Sequence, residues 1–267
     1  MKTKLLLALA ISPLLLFAAS AKTTVVSVDF GKAEVSAKTS NNTVSSPNAV
    51  GGPDLVWRQA TASNGNTLAL LKKQNGKGAA LKLDTHKYPH QKYYTTFKQV
   101  DLGVGETITL SFSYQFIGKP TEGNETFRFG LYLKIGEDTG KYKGVNCYTS
   151  GAANRKVIIG TEQGTEPPIL GGKDLGGKAN PEGSIASGTK EHAVVYKITR
   201  ISETALRATL WFDGREIVTG NGIPDDPDYA WRFTERGGAI FSFDTLAFGY
   251  GEERVPCMIS DVKITIE

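Results

Sequence analysis

The chain has 267 residues, 31 of them Lys or Arg and 27 Asp or Glu. That near balance argues against nucleic acid or an anionic membrane surface as the main partner. Two cysteines and three histidines (His86, His90 and His192), without recognisable ligand spacing, argue against a zinc site.

The chain opens on Lys2 and Lys4, runs through an apolar stretch from Leu5 to Phe17 and closes on Ala19-Ser20-Ala21. A basic start, a short apolar centre and small residues at −3 and −1 describe a secretory signal peptide over residues 1–21. Cleavage leaves Lys22 as the new amino terminus, and the expected location is secreted or periplasmic. Membrane insertion is not expected, because the run is short for a span and Pro13 interrupts it. No cysteine follows the small residues, which argues against a bacterial lipoprotein. Residues 22–267 retain 29 basic and 27 acidic residues and suit one large β domain.

Period-two alternation recurs through the mature chain and no sustained helical stripe does, so the fold is all-β. Val25, Val26, Val28 and Phe30 supply a first strand, which in a sandwich commonly lies beside the last. Residues 32–53, rich in Ser, Thr, Asn and Gly, read as a surface connection. Shorter strands are expected near Ala79 to Asp84 and Tyr93 to Leu102. Between them, His86, Tyr88, His90, Tyr93 and Tyr94 gather residue types that a polysaccharide lyase uses to move protons, with Arg128 as a cation for the developing enolate. A basic aromatic surface loop is the simpler reading of that stretch.

The clearest strand is Glu106 to Phe116, with Ile108, Leu110, Phe112, Tyr114 and Phe116 on one side and Thr107, Thr109, Ser111, Ser113 and Gln115 on the other. Glu125 to Ile135 repeats the pattern: Phe127, Phe129, Leu131, Leu133 and Ile135 point inward and Arg128, Gly130, Tyr132 and Lys134 outward. Short strands follow near Lys143 to Thr149 and Lys156 to Ile159. Residues 160–188, with many glycines and three prolines, read as a long loop of the kind used as a lid or binding loop. It is no phosphate cradle, since no Gly-Lys-Ser/Thr follows.

His192 to Ile201 and Ala205 to Asp213 form an expected hairpin about Ser202-Glu203-Thr204, which buries Leu206, Ala208, Leu210 and Phe212 and turns Arg207, Thr209 and Trp211 the other way. Asp225, Asp226 and Asp228 offer oxygens suited to calcium, but without EF-hand spacing, and Pro and Asp also make ordinary turns; no cofactor is expected. The chain ends on Ala239 to Tyr250 and then on Met258, Val262, Ile264 and Ile266 alternating with Asp261, Lys263 and Thr265. Cys147 and Cys257 allow either a disulfide between a middle strand and the last one or two buried thiols.

The order of Phe127-Arg128-Phe129-Gly130-Leu131-Tyr132, Leu210-Trp211-Phe212-Asp213-Gly214, Leu246-Ala247-Phe248-Gly249-Tyr250 and Ile259-Ser260-Asp261-Val262-Lys263-Ile264 resembles the concanavalin A-like lectin/glucanase superfamily, in particular laminin-G-like modules of secreted bacterial proteins. The resemblance covers most of the mature chain. It implies a two-sheet antiparallel jelly-roll sandwich and a carbohydrate partner, met on a concave sheet face or its rim loops. On that face it places Arg128, Tyr132, Lys134, Arg207 and Trp211 as candidate ligand contacts. Flat rings beside planar hydrogen-bonding groups are what sugars require. The Glu-x-Asp-x-Glu strand of the family's glucanases is absent, as are the arginine-, glutamine/histidine- and tyrosine-bearing blocks of its alginate lyases. The sequence therefore reads first as a non-catalytic polysaccharide-binding module, second as a lyase or glycoside hydrolase of the same fold, and third as a structural or adhesive envelope protein.

Overall fold

The computed structural model describes residues 21–36, 43–59, 68–73, 77–84, 92–118, 127–135, 141–149, 157–164, 173–180, 189–217, 231–234, 239–249 and 255–267. Three of the sequence readings lie outside the described residues: the leader up to residue 20, the loop carrying His86, Tyr88 and His90, and the segment with Asp225, Asp226 and Asp228.

The described strands, in chain order, are β1 (Thr23–Ser27), β2 (Glu34–Ser36), β3 (Thr43–Ser46), β4 (Leu55–Gln59), β5 (Ala69–Lys72), β6 (Ala79–Leu83), β7 (Lys92–Asp101), β8 (Thr107–Phe116) and β9 (Arg128–Ile135). They continue as β10 (Lys141–Thr149), β11 (Val157–Gly164), β12 (Lys173–Asn180), β13 (His192–Arg200), β14 (Ala205–Phe212), β15 (Arg215–Ile217), β16 (Trp231–Thr234), β17 (Ser242–Gly249) and β18 (Cys257–Ile266). They form two nine-stranded antiparallel sheets stacked as a jelly-roll sandwich. The first runs β15-β14-β13-β8-β18-β6-β5, with β1 also on β18 and β16 on β14; the second runs β12-β11-β10-β9-β17-β7-β4-β3-β2. The first and last strands do lie side by side, Thr23 opposite Ile266.

Aromatic interdigitation locks the two layers together. Phe112 of the first sheet stands edge-on, 5.0 Å from the rings of both Phe129 and Phe248 of the second. Around it Leu110, Leu131, Tyr196, Leu210, Leu246 and Ile264 complete one continuous core. Truncating a ring at such a position costs about 3–5 kcal/mol.

The alternation of β18 changes phase. Ile259 and Val262 both face the core although three residues apart, because the ladder against β8 shifts register between Ser260 and Lys263. Asp261 takes φ +54° there, a left-handed conformation that Asp tolerates better than most residues. Its carboxylate accepts from Lys73 Nζ at 2.8 Å, and Lys73 also reaches Glu191 at 2.6 Å. Ile259 rather than Met258 is therefore the core residue at this end of the strand.

Two expected connections contain strands. Within residues 32–53, β2 and β3 pair with each other and β3 with β4, and Val44 and Ser46 are buried. Within residues 160–188, β11 extends to Gly164 fully paired with β10, and β12 pairs with β11. Glycine and polar side chains lowered the strand signal in both places, and the neighbouring strands supplied the ladder that local propensity did not.

Of the two alternatives for the cysteines, the structure has buried thiols: Cys147 and Cys257 form no disulfide. They lie on facing sheets, and Tyr114 interacts electrostatically with both. Burial pushes the Cys147 thiol well above its ordinary range. Without reductant, the native protein is expected to resist a thiol reagent and to expose two reactive thiols when unfolded in guanidinium. No reactive thiol in the unfolded chain would show a bridge instead.

Candidate functional site

β9, β10, β11 and β17 each send alternate residues into the core and the rest to the opposite, outer face of the second sheet. On that face Glu162 (β11), Gly144 (β10), Tyr132 (β9) and Thr245 (β17) stand in one row of register partners. The adjoining row holds Gly160, Asn146, Gly130, Ala247, Tyr94 and Arg58.

Tyr132 lies flat across its row. A Cβ on Gly144 would overlap the Tyr132 ring and the Leu131 carbonyl, and one on Gly130 would fall 2.9 Å from Tyr132 Cε2. Two glycines thus let an aromatic ring rest on the backbone of β9 and β10. The ring's phenol then reaches the next strand, where Tyr132 Oη donates to Glu162 Oε2 at 3.0 Å. Asn146 Nδ2 donates to the same oxygen.

The alternation leaves this face to solvent or a ligand, and much of it is closed to solvent. Tyr132, Tyr142, Ala247, Asn146, Glu162, Thr245 and Lys92 are all buried, and Tyr132, Tyr142 and Ala247, with Tyr94 against them, form an apolar cluster separate from the core. Solvent reaches the margins, at Arg58, Thr96 and Lys134, and reaches Arg128 and Tyr94 in part. A buried carboxylate is costly unless donors satisfy it. Glu162 has two of them.

Burial, and then the charge of Glu162, raise the Tyr132 phenol well above the ordinary tyrosine range, so it stays a donor. Burial and the nearby Tyr94 and Asp244 push Tyr142 up to about 12 against the opposing pull of Arg58. Asp244 closes one end of the face, accepting from the Lys134 amide at 3.0 Å and the Thr245 hydroxyl at 2.7 Å.

The structure divides the five residues expected on one surface. Arg128, Tyr132 and Lys134 belong to β9 of the second sheet. Arg207 and Trp211 belong to β14 of the first, on its own outer face, where Lys197 Nζ sits 5.2 Å from the centroid of the Trp211 ring. The two outer faces point away from each other, so these residues cannot meet one ligand together. Alternation states which side of a strand a residue occupies but not which sheet the strand joins. Asn146 and Glu162 were missed: Glu162 falls in a stretch read as loop, and Asn146 in a strand read only for its existence. The signal available was a Glu and an Asn beside glycines on a strand, positions where a structural sheet places β-branched residues.

Among the described residues, no group of three or more His, Cys, Asp or Glu converges as a metal site, and no helix is long and apolar enough to cross a membrane.

No family model matches the chain, and neither does any curated protein. Solved structures do. An endo-1,3-beta-glucanase from Streptomyces sioyaensis is 13% identical with a TM-score of 0.46, over 96% of this chain and 99% of that one. A carbohydrate esterase from Shiga toxin-encoding bacteriophage phi24B is 13% identical with a TM-score of 0.44, over 79% and 90%. An endo-beta-1,4-glucuronan lyase from the fungus Trichoderma reesei is 13% identical with a TM-score of 0.42, over 77% and 89%. The assignment of the fold rests on the strands and their pairing rather than on these likenesses.

Two outcomes check this geometry. Gly144→Ala is expected to lower unfolding stability by about 1–3 kcal/mol in urea titration, since the Tyr132 ring must move. A change within about 0.5 kcal/mol would show that the ring does not rest there. Tyrosines raised in the folded state stabilise fully below their unfolded value of about 10 and lose that contribution as pH rises through the folded value. The urea midpoint is thus expected to fall between about pH 10 and the Tyr142 value of about 12, and to fall less in Tyr142→Phe. An identical fall in Tyr142→Phe would show that the Tyr142 phenol does not contribute to it.

Proposed function

We propose that this protein is an exported polysaccharide-binding module whose site is the outer face of the second sheet. The observation that carries this reading is the burial of Lys92, Asn146, Glu162 and Thr245 together on the side of the sheet turned away from the core. A face that only had to be covered is best served by apolar residues, because buried polar groups cost free energy unless paired. Their convergence beside Tyr94 and Tyr142, whose rings meet edge-on at 6.4 Å, supplies the aromatic and hydrogen-bonding mixture that a sugar chain requires. Arg58, Arg128 and Lys134 border it with further donors. The leader over residues 1–21 supports export to a compartment where such polymers are met.

A second reading, a polysaccharide lyase or glycoside hydrolase, draws on the Tyr132–Glu162 hydrogen bond, which pairs a phenol with a carboxylate as proton-transfer chemistry does. Glycoside hydrolysis ordinarily uses two carboxylates. On this face Asp174 is the register partner of Glu162, and Asp244 is already engaged by the Lys134 amide and the Thr245 hydroxyl.

Affinity electrophoresis in gels containing neutral and uronate polysaccharides tests the proposal. Retention is expected on at least one polymer, weakened about tenfold or more by Tyr94→Ala and by Arg128→Ala, a loss of roughly 1.4 kcal/mol. Trp211→Ala, on the other sheet, is expected to leave it unchanged. No retention on any polymer, or loss only with Trp211→Ala, would overturn the assignment. New reducing ends or unsaturated, ultraviolet-absorbing products would establish the enzymatic reading.

A further inference from the structure

A second concavity shares no residue with the Tyr132–Asn146–Glu162 group. It is a cavity of about 420 Å³ where β1 and the end of β18 face β7 and the turn before β4. Three departures from regular structure create it. In β7, Thr96 stands opposite Thr245 and Val100 opposite Phe243, so Phe97, Lys98 and Gln99 together face the single residue Asp244. Such a bulge re-aims side chains and bends the strand, here at the wall of the cavity.

The outer edge of β1 is closed by the Asn48 side chain and by one isolated bridge, Val28 opposite Asn48, where the Ala49 amide donates to the Ser27 carbonyl at 2.8 Å. Asn48 Nδ2 donates to the Val25 carbonyl at 3.1 Å, and the Ser27 amide donates to Asn48 Oδ1 at 3.0 Å. The turn beyond Asn48 runs through Gly51 and Gly52 at φ +90° and +98°, conformations that side chains rarely adopt. No atom lies within 4 Å of the position a Gly51 Cβ would take. The turn is tied to β1 yet leaves the space beside it open.

Val25, Leu55, Phe97, Val100 and Ile266 give the cavity an apolar body. Its volume falls within the roughly 300–1,000 Å³ of small-molecule sites, which combine apolar walls with a few polar groups. Lys98 is the one charged residue lining it among the described residues. The nearby Asp101 is held by hydrogen bonds from Ser242 and Gln99, and Lys98 forms no ion pair with a described carboxylate. Lys98 thus places a cation at the margin of an apolar hollow, and Lys22, next to the lining residue Thr23, is held by Glu267 at 3.9 Å.

We propose that this cavity is a binding site independent of the sheet face, and that it takes a small amphiphile with an apolar body and one carboxylate. Water held against such walls is released when the body enters, and Lys98 meets the headgroup. Isothermal titration of the purified protein with sodium decanoate and with decyltrimethylammonium tests it. Decanoate is expected to saturate one site at least tenfold more tightly than the cation. Val50→Trp, at an exposed rim position, is expected to weaken decanoate at least tenfold without moving the unfolding midpoint or polysaccharide retention. Lys98→Gln, at an exposed position, is expected to abolish the preference for anion over cation. The proposal is overturned by the absence of saturable decanoate binding, by equal affinity for the cation, or by unchanged affinity in Val50→Trp.

Discussion

Burial on both faces is the constraint that shapes the second sheet. Its inner side meets the rings of the first sheet, with Phe129 and Phe248 closing on Phe112. Its outer side buries Tyr132, Tyr142 and Ala247 as a second apolar cluster. A polar side chain placed there has no bulk water to satisfy it and must find its partners within the fold. Glu162 does so through Tyr132 and Asn146, and Tyr132 can only because Gly144 leaves it room to cross β10. Site and scaffold are thus coupled: a residue with no side chain on one strand determines where a phenol ends on the next.

Both outer faces bury polar side chains, with Thr109, Gln115, Ser260 and Thr265 on the first sheet, but among the described residues the buried charged groups of the outer faces, Lys92 and Glu162, stand on the second. The outer face of the first sheet carries hydroxyls and long cations, with Thr107 and Thr199 hydrogen-bonded at 2.8 Å and Lys197 over Trp211. Those are contacts of a half-solvated antiparallel sheet. The outer face of the second sheet concentrates buried charge and amide groups in a few neighbouring rows. The β7 bulge places a separate apolar hollow near the margin of the second sheet.

Much of the fold was legible because strands buried on one side advertise it. β8, β9 and β14 alternate cleanly, and the core takes the inward residues that alternation names, from Ile108 to Phe116, from Phe127 to Leu131 and from Leu206 to Leu210. β11 was harder, since Gly160-Thr161-Glu162-Gln163-Gly164 has neither β-branched density nor an apolar side; its strand character comes from pairing with β10. The phase change at Asp261 was hidden for a similar reason, because a bulge is a property of the ladder and not of the residues on either side. The candidate site was legible only in part. Arg128, Tyr132 and Lys134 share a strand and so a face, whereas Arg207 and Trp211 were joined to them by a pattern that two separate sheets satisfy equally well. Asn146 and Glu162 become visible as partners only once three strands are set in register.

Hydrogen–deuterium exchange of the purified protein with and without a retained oligosaccharide tests the central claim most directly. Slowed exchange is expected in peptides covering β9, β10 and β11, with β13 and β14 unchanged. Slowed exchange confined to β13 and β14 would place the ligand on the first sheet and contradict it.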